Sequence, residues 1–134
     1  MRRKDERSSH APRTGDPRRT IEDAAKFYLR ARFRALEPVR PREFADALGL
    51  SRRYLSRRVK EIFGARLDDF LRQRQLAEAV RLLTTTPLSV QQVGTASGFG
   101  TEWTFHRCFK AAFGVTPAAY RERERSLLQV TKCE

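Results

Sequence analysis

Cysteine is almost missing from this 134-residue sequence, which has only Cys108 and Cys133, far fewer than a disulfide-stapled secreted domain needs. Histidine is as scarce. With His10 and His106 alone, no cluster has the spacing of a metal site, and no metal or cofactor is expected. No apolar run approaches the ~20 residues that span a bilayer, and the charged N-terminus lacks the apolar segment of a signal peptide. Membrane insertion and secretion are therefore not expected, and a reducing cytoplasm is. Acids are also in short supply, with 16 Asp and Glu against 28 Lys and Arg and a net charge of +12. Such a surface attracts polyanions through counterion release, so nucleic acid or an anionic membrane surface fits it as a partner. The hydrophobic share of 40% supports one domain-sized unit or two very small ones.

What is present is one pattern written twice, about fifty residues apart. Phe44-Ala45-Asp46-Ala47-Leu48-Gly49-Leu50 returns as Val93-Gly94-Thr95-Ala96-Ser97-Gly98-Phe99. Leu55, Arg57, Val59, Lys60, Phe63 and Gly64 return as Phe105, Arg107, Phe109, Lys110, Phe113 and Gly114. Each copy reads apolar residue, tiny residue, glycine turn, then an amphipathic helix with basic residues. That is the layout of a helix-turn-helix that offers its second helix to DNA.

The chain around the repeat reads as helices, and no strand-like alternation interrupts it, so the expected class is all-α. Residues 1–19 are basic, with Ser, Pro and Gly and almost nothing apolar, and are expected as a disordered leader or linker remnant. Thr20 is the expected cap of a first helix with Ile21, Ala24, Ala25, Tyr28 and Leu29 as its apolar stripe. A second, short helix over Pro41 to Leu48 closes at Gly49, and Ser51 caps a third helix, 51–63, that stops at Gly64. Leu67, Phe70, Leu71, Ala77, Val80 and Leu83 mark a fourth helix, 67–83, about 25 Å long, as a connector between two lobes. Ser89 and Gln92 form a capping box for a fifth helix, and Gly98-Phe99-Gly100 make a turn. A sixth helix covers 101–113 to Gly114, and Thr116-Pro117 opens a seventh that runs to about Arg125, with 126–134 as a tail.

On the third helix, Leu55, Val59 and Ile62 or Phe63 are expected inward, leaving Arg53, Ser56, Arg57 and Lys60 on another stripe. On the sixth, Phe105, Phe109, Ala112 and Phe113 are expected inward, leaving Trp103, His106, Arg107 and Lys110 in register with the first set. Cys108 beside the phenylalanines reads as a small buried thiol. Arg52 and Arg53 stand in the first turn of their helix, where cations oppose the dipole at about 0.3–1 kcal/mol each, a placement that makes sense if that end meets a polyanion. Arg53 or Arg57 can bond guanine O6 and N7 with two hydrogen bonds. Glu102 either accepts from a cytosine amino group or stabilises its own helix. Trp103 is either core or an exposed ring that packs on thymine methyls or sugars, and His106 either a surface residue or part of the face. The first copy is the more electropositive, so it is expected to dominate affinity.

The stretch from about Arg40 to Arg123 resembles the DNA-binding domain of the AraC/XylS family of bacterial transcription regulators, with the first helix extending the likeness back to Thr20. The residues that carry it are Ser51-Arg52-Arg53-Tyr54-Leu55-Ser56-Arg57, Ala79-Val80-Arg81-Leu82-Leu83, Gly98-Phe99, Phe105-His106-Arg107-Cys108-Phe109-Lys110, and Phe113-Gly114-Val115-Thr116-Pro117 with Tyr120-Arg121. The resemblance implies a domain over 20–125, with a first helix-turn-helix lobe (20–64), a connector (67–83) and a second lobe (88–125). Seven helices are implied, with the third and sixth entering successive major grooves. It places base contacts on Arg53, Ser56 and Arg57, then on Glu102, Trp103, His106 and Arg107. Gln75 stands where an arginine is usual in the family, Gly94 where alanine is, Val59 where phenylalanine is and Trp103 where serine is. Because glycine costs a helix interior about 1 kcal/mol relative to alanine, Gly94 leads us to expect a looser second lobe.

The leading expectation is a sequence-specific regulator that binds double-stranded DNA as a monomer, with RNA polymerase as a further partner. The competing one is a protein-interaction module that contacts RNA polymerase and binds DNA weakly. No nucleophile or metal set supports an enzyme.

Overall fold

The computed structural model describes residues 16–133, with side chains described up to Leu128. Seven helices and no strand occur among them: α1 (Pro17–Ala35), α2 (Pro41–Ala47), α3 (Arg52–Phe63), α4 (Leu67–Thr85), α5 (Val90–Ala96), α6 (Glu102–Phe113) and α7 (Pro117–Cys133). Most of the expected leader lies outside the described residues. Its end does not: α1 starts at Pro17, one turn before Thr20. Asp16 performs the capping expected of Thr20, since its carboxylate accepts from Arg18 N at 3.2 Å and its carbonyl from Thr20 N at 2.9 Å. Proline at the first helical position gives up only a donor that would have had no partner there. At the other end, α7 continues past Arg125 to Cys133, because no glycine or proline follows to stop it.

The chain divides into two compact units, one of residues up to Arg32 with Val39–Arg74, the other of Phe33–Pro38 with everything from Gln75 on. The division falls within α4.

In the first unit, α1 buries Ala25 and Leu29, α2 buries Phe44 and Ala45, α3 buries Leu55 and Val59, and α4 buries Leu67, Phe70 and Leu71. Each large apolar side chain removed from water contributes about 1.5–3 kcal/mol. Polar groups tie the edges. The Tyr28 hydroxyl donates to Glu43 Oε1 at 2.9 Å and accepts from Arg40 N at 3.1 Å, joining α1 to the start of α2. Burial pushes that phenol above its usual range, with Glu43 adding to the shift. Arg74 donates to Glu22 at 2.7 Å while its guanidinium lies 3.8 Å from the centre of the Phe70 ring.

In the second unit, Leu76, Ala79, Leu82 and Leu83 of α4 pack with Val93, Phe99, Phe105, Cys108 and Phe109, and Tyr120 of α7 joins them. Ala77, expected inward, is exposed. The helical stripe that includes Gln75 and Ala79 excludes it. Arg121 closes the end of α4 by donating to the carbonyls of Leu83 (3.0 Å) and Thr86 (3.2 Å), where a cation also suits the helix dipole. The capping box on α5 is complete, with Gln92 N donating to Ser89 Oγ and Ser89 N to Gln92 Oε1.

Two departures from the family pattern acquire a physical role. Gln75 is 5% exposed, and its side-chain amide donates to the carbonyls of Gly98 (2.9 Å) and Ser97 (3.3 Å). The glycine turn ahead of α6 is thereby held from α4. Gly94 does not loosen its lobe as expected. A Cβ on it would lie 2.8 Å from Phe105 Cδ2, so the missing methyl is what lets α5 lie against that ring. In the first copy the same two register positions hold Ala45 and Leu55, and the second exchanges a smaller helix residue for a larger core residue. Gly94→Ala should therefore lower stability, by about 1–3 kcal/mol despite the better helix former. A thermal melt checks it: an unchanged or higher Tm would mean that Phe105 yields freely.

Candidate nucleic-acid interface

Each unit presents one twelve-residue helix with a side-chain cap at its start and a left-handed glycine at its end. Ser51 Oγ accepts from Tyr54 N (3.0 Å) at α3, and Thr101 Oγ1 from Thr104 N (3.1 Å) at α6. Gly64 and Gly114 take φ of 76° and 79°, a region that a Cβ penalises. These ends fix the rotation of each helix, and burial of one stripe decides which residues stay outside.

On α3 that stripe is Leu55 and Val59, with Ile62 and Phe63 half-buried. Arg53, Arg57 and Lys60 are exposed and Ser56 half-buried. These four, with Arg52, line one open depression. Arg42 of α2, Arg66 from the turn before α4, and Arg72, Asp68 and Asp69 of α4 also stand in its wall. None of those five was singled out from the sequence, because the repeat pointed only to α3 itself. Arg42 was within reach, since the first helix of a helix-turn-helix crosses the DNA backbone. The guanidinium of Arg57 lies over the Tyr54 ring, 5.5 Å from its centre.

Arg52 differs from its expected role as an uncompensated cation at a helix start. Its Nη2 donates to both oxygens of Asp68, at 3.0 and 3.3 Å, so an acid from α4 offsets the dipole penalty. Of Arg52 and Arg53, only the latter keeps the unfavourable first-turn placement without an acid beside it among the described residues.

On α6 the buried stripe is Phe105, Cys108 and Phe109. Ala112 and Phe113, expected inward, are exposed. Phe113 is 39% exposed and lies at the rim, where its ring meets Phe109 (4.6 Å between centres) and Tyr120 (5.5 Å). Cys108 is a buried thiol, as its position beside the phenylalanines implied. Trp103 is outside: 69% of it is exposed, and Arg107 stacks its guanidinium 4.7 Å from the indole centre. Trp103, His106, Arg107 and Lys110 line one shallow depression with Ala111 and Thr116. Glu102 stands beside it, with its carboxylate 3.6 Å from His106 Nε2. Its place in the first turn of α6 is also one that favours an acid.

Among the described residues, no group of three or more His, Cys, Asp or Glu is placed to hold a metal ion, and no helix is long and apolar enough to cross a membrane.

Residues 44–123 match the model of a helix-turn-helix domain. The chain is 32% identical over 102 residues to "Probable transcription factor PqrA" of Proteus vulgaris, covering 76% of this chain and 83% of that protein. It belongs to the AraC/XylS family of transcription regulators. The family is a non-enzymatic one of DNA-binding proteins. A further relative is the xylose operon regulatory protein of Escherichia coli K12, 31% identical over 98 residues, which are 73% of this chain but only 24% of that longer protein. In structure, this AraC/XylS chain is similar to the DNA-binding domain of AdpA, a global transcriptional factor, in complex with a target DNA. The TM-score is 0.71 at 27% identity, with 84% of this chain and 96% of that one covered.

Trp103 is the only tryptophan in the AraC/XylS chain, so its exposure has a direct optical test. Emission of the free protein should be that of a water-exposed indole and should be quenched readily by acrylamide. A blue-shifted, protected emission would place the ring in the core instead.

Proposed function

We propose that the chain is the sequence-specific double-stranded DNA reader of a bacterial transcription regulator, acting in the cytoplasm at the nucleoid. Helices α3 and α6 enter successive major grooves, about one helical turn or ~34 Å apart. The observation that carries this reading is that both twelve-residue helices leave arginine and lysine outward in the same register, Arg57 and Lys60 in one and Arg107 and Lys110 in the other. The complex of AdpA's DNA-binding domain with its target DNA supports it.

In this reading Arg53, Ser56 and Arg57 contact bases in the first groove, with arginine reading guanine O6 and N7. Glu102, Trp103, His106 and Arg107 form the second set. The Trp103 indole, with the Arg107 guanidinium 4.7 Å from its centre, packs on thymine methyls or sugars, and Lys60 and Lys110 neutralise phosphates. The first face carries more positive charge and dominates affinity. The chain binds DNA as a monomer and meets RNA polymerase through another surface. The DNA-binding domain spans 20–125, with its first lobe over 20–64, the connector over 67–83 and the second lobe over 88–125.

Arg57→Ala should cost about 1–3 kcal/mol on the preferred duplex and relax preference at one or two base pairs. Titration of single-base variants of that duplex reads this out, and an equal loss on every sequence would make Arg57 a phosphate contact. Lys60→Ala should weaken all duplexes alike and flatten the salt dependence of binding by about one unit of slope. A slope that stays the same removes Lys60 from the phosphate contacts. A wild-type protein that prefers no selected duplex over random DNA at moderate salt defeats the regulator reading as a whole.

A further inference from the structure

Arg52 is set apart from the other cations of the α3 face by its carboxylate. Among the described residues Arg53, Arg57 and Lys60 have no acid partner, whereas Arg52 is paired to Asp68 with about half of each side chain still exposed, 50% and 52%. Asp68 sits in the first turn of α4, a position that favours an acid, so the carboxylate is held by a helix rather than by a loop.

The geometry of the pair decides what Arg52 can do next. A single nitrogen, Nη2, serves both carboxylate oxygens, and a guanidinium has five N–H donors in a fixed fork. The donors of Nη1, with the second hydrogen of Nη2 beside them, remain for another acceptor pair. A phosphate brought to that edge would sit close to the Asp68 carboxylate, and like charges at short range repel. The Hoogsteen edge of guanine offers O6 and N7 without a formal charge, at the spacing the fork fits. Arg52 opens α3, and it is the N-terminal end of a recognition helix that meets base edges.

We propose that Asp68 is a positioning residue that holds Arg52 for a guanine edge, so that Arg52 reads a base and does not clamp a phosphate. This rests on the reading of α3 as a major-groove helix and adds a residue to it: the resemblance places base contacts on Arg53, Ser56 and Arg57 and leaves Arg52 out. Asp68 acts through Arg52 by restricting its rotamers and excluding phosphate from its free edge. A carboxylate on a DNA-binding face thereby acts in favour of specificity.

The test uses the full chain and a duplex selected from a random pool by the wild-type protein. Each guanine of that duplex is replaced in turn by 7-deazaguanine, which lacks the N7 acceptor. One replacement should weaken wild-type binding by about five- to tenfold, and the same replacement should have no effect on Arg52→Ala or Asp68→Asn. Asp68→Glu should keep part of the sensitivity, and the double variant should bind no worse than Arg52→Ala alone. The proposal is overturned if Asp68→Asn binds selected and random duplexes more tightly, with a steeper salt dependence and the guanine sensitivity intact. Asp68 would then merely compete with phosphate for Arg52. It is equally overturned if Asp68→Asn lowers Tm while the 7-deazaguanine pattern stays unchanged. Should Asp68→Asn fail to fold, Asp68→Ser decides, because serine removes the carboxylate and leaves the Arg52 charge in place. Loss of guanine sensitivity with random-DNA affinity retained supports the proposal, and retained sensitivity overturns it. A wild-type chain that selects no sequence fails the regulator reading, which is visible before any variant is made.

Discussion

Burial of one narrow stripe on each twelve-residue helix is the constraint on which the rest depends. Once Leu55 and Val59 of α3, and Phe105, Cys108 and Phe109 of α6, are out of water, the rotation of each helix about its own axis is fixed, and with it the set of side chains left outside. Turning α3 by one residue position would expose Val59 and bury a lysine without a partner, which costs far more than any contact the face makes. The basic faces therefore follow from the apolar ones. They need no separate device to orient them beyond the caps at Ser51 and Thr101 and the glycine stops at Gly64 and Gly114.

The two copies meet that constraint with different atoms. The second packs a phenylalanine where the first has leucine, and it makes room by reducing alanine to glycine at position 94. It also has a glycine turn whose carbonyls accept from the amide of Gln75. A buried carbonyl without a donor costs about 1–3 kcal/mol, so a hydrogen-bonding side chain at position 75 supports the turn that launches α6. The outer faces diverge as well. One gathers arginines around an acid on α4, while the other sets an exposed indole beside an arginine.

Much of the fold was legible because its punctuation is local. Ser51, Ser89, Thr101 and Thr116 cap the helices that follow them, and Gly49, Gly64, Gly98 and Gly114 take the positive φ that their turns need. The misses share a cause. Thr20 satisfied the rule for a cap, but Asp16 did so one turn earlier and lay in a stretch with too little apolar content to suggest a helix. Ala112 and Phe113 continued an apolar pattern on α6, yet the core there ends at Phe109 and Tyr120. Periodicity shows which face is apolar but not how far along that face the neighbouring helix reaches. Asp68 was not legible for the same reason, since nothing local links it to α3.

The amino-acid sequence by itself determined the helices, the capped starts and glycine stops of α3 and α6, the duplication and the register that puts Arg57 and Lys60 in step with Arg107 and Lys110. All of these depend on residues within a turn or two of one another. Only the tertiary structure decided that Arg52 is bridged by Asp68, that Trp103 stays in water under Arg107's neighbouring charge, that Gln75 supports a turn distant in sequence, and that Gly94 is a fit to Phe105 rather than a weakness. Each of those depends on which atoms meet across separate helices. Periodicity along one helix carries no record of such meetings.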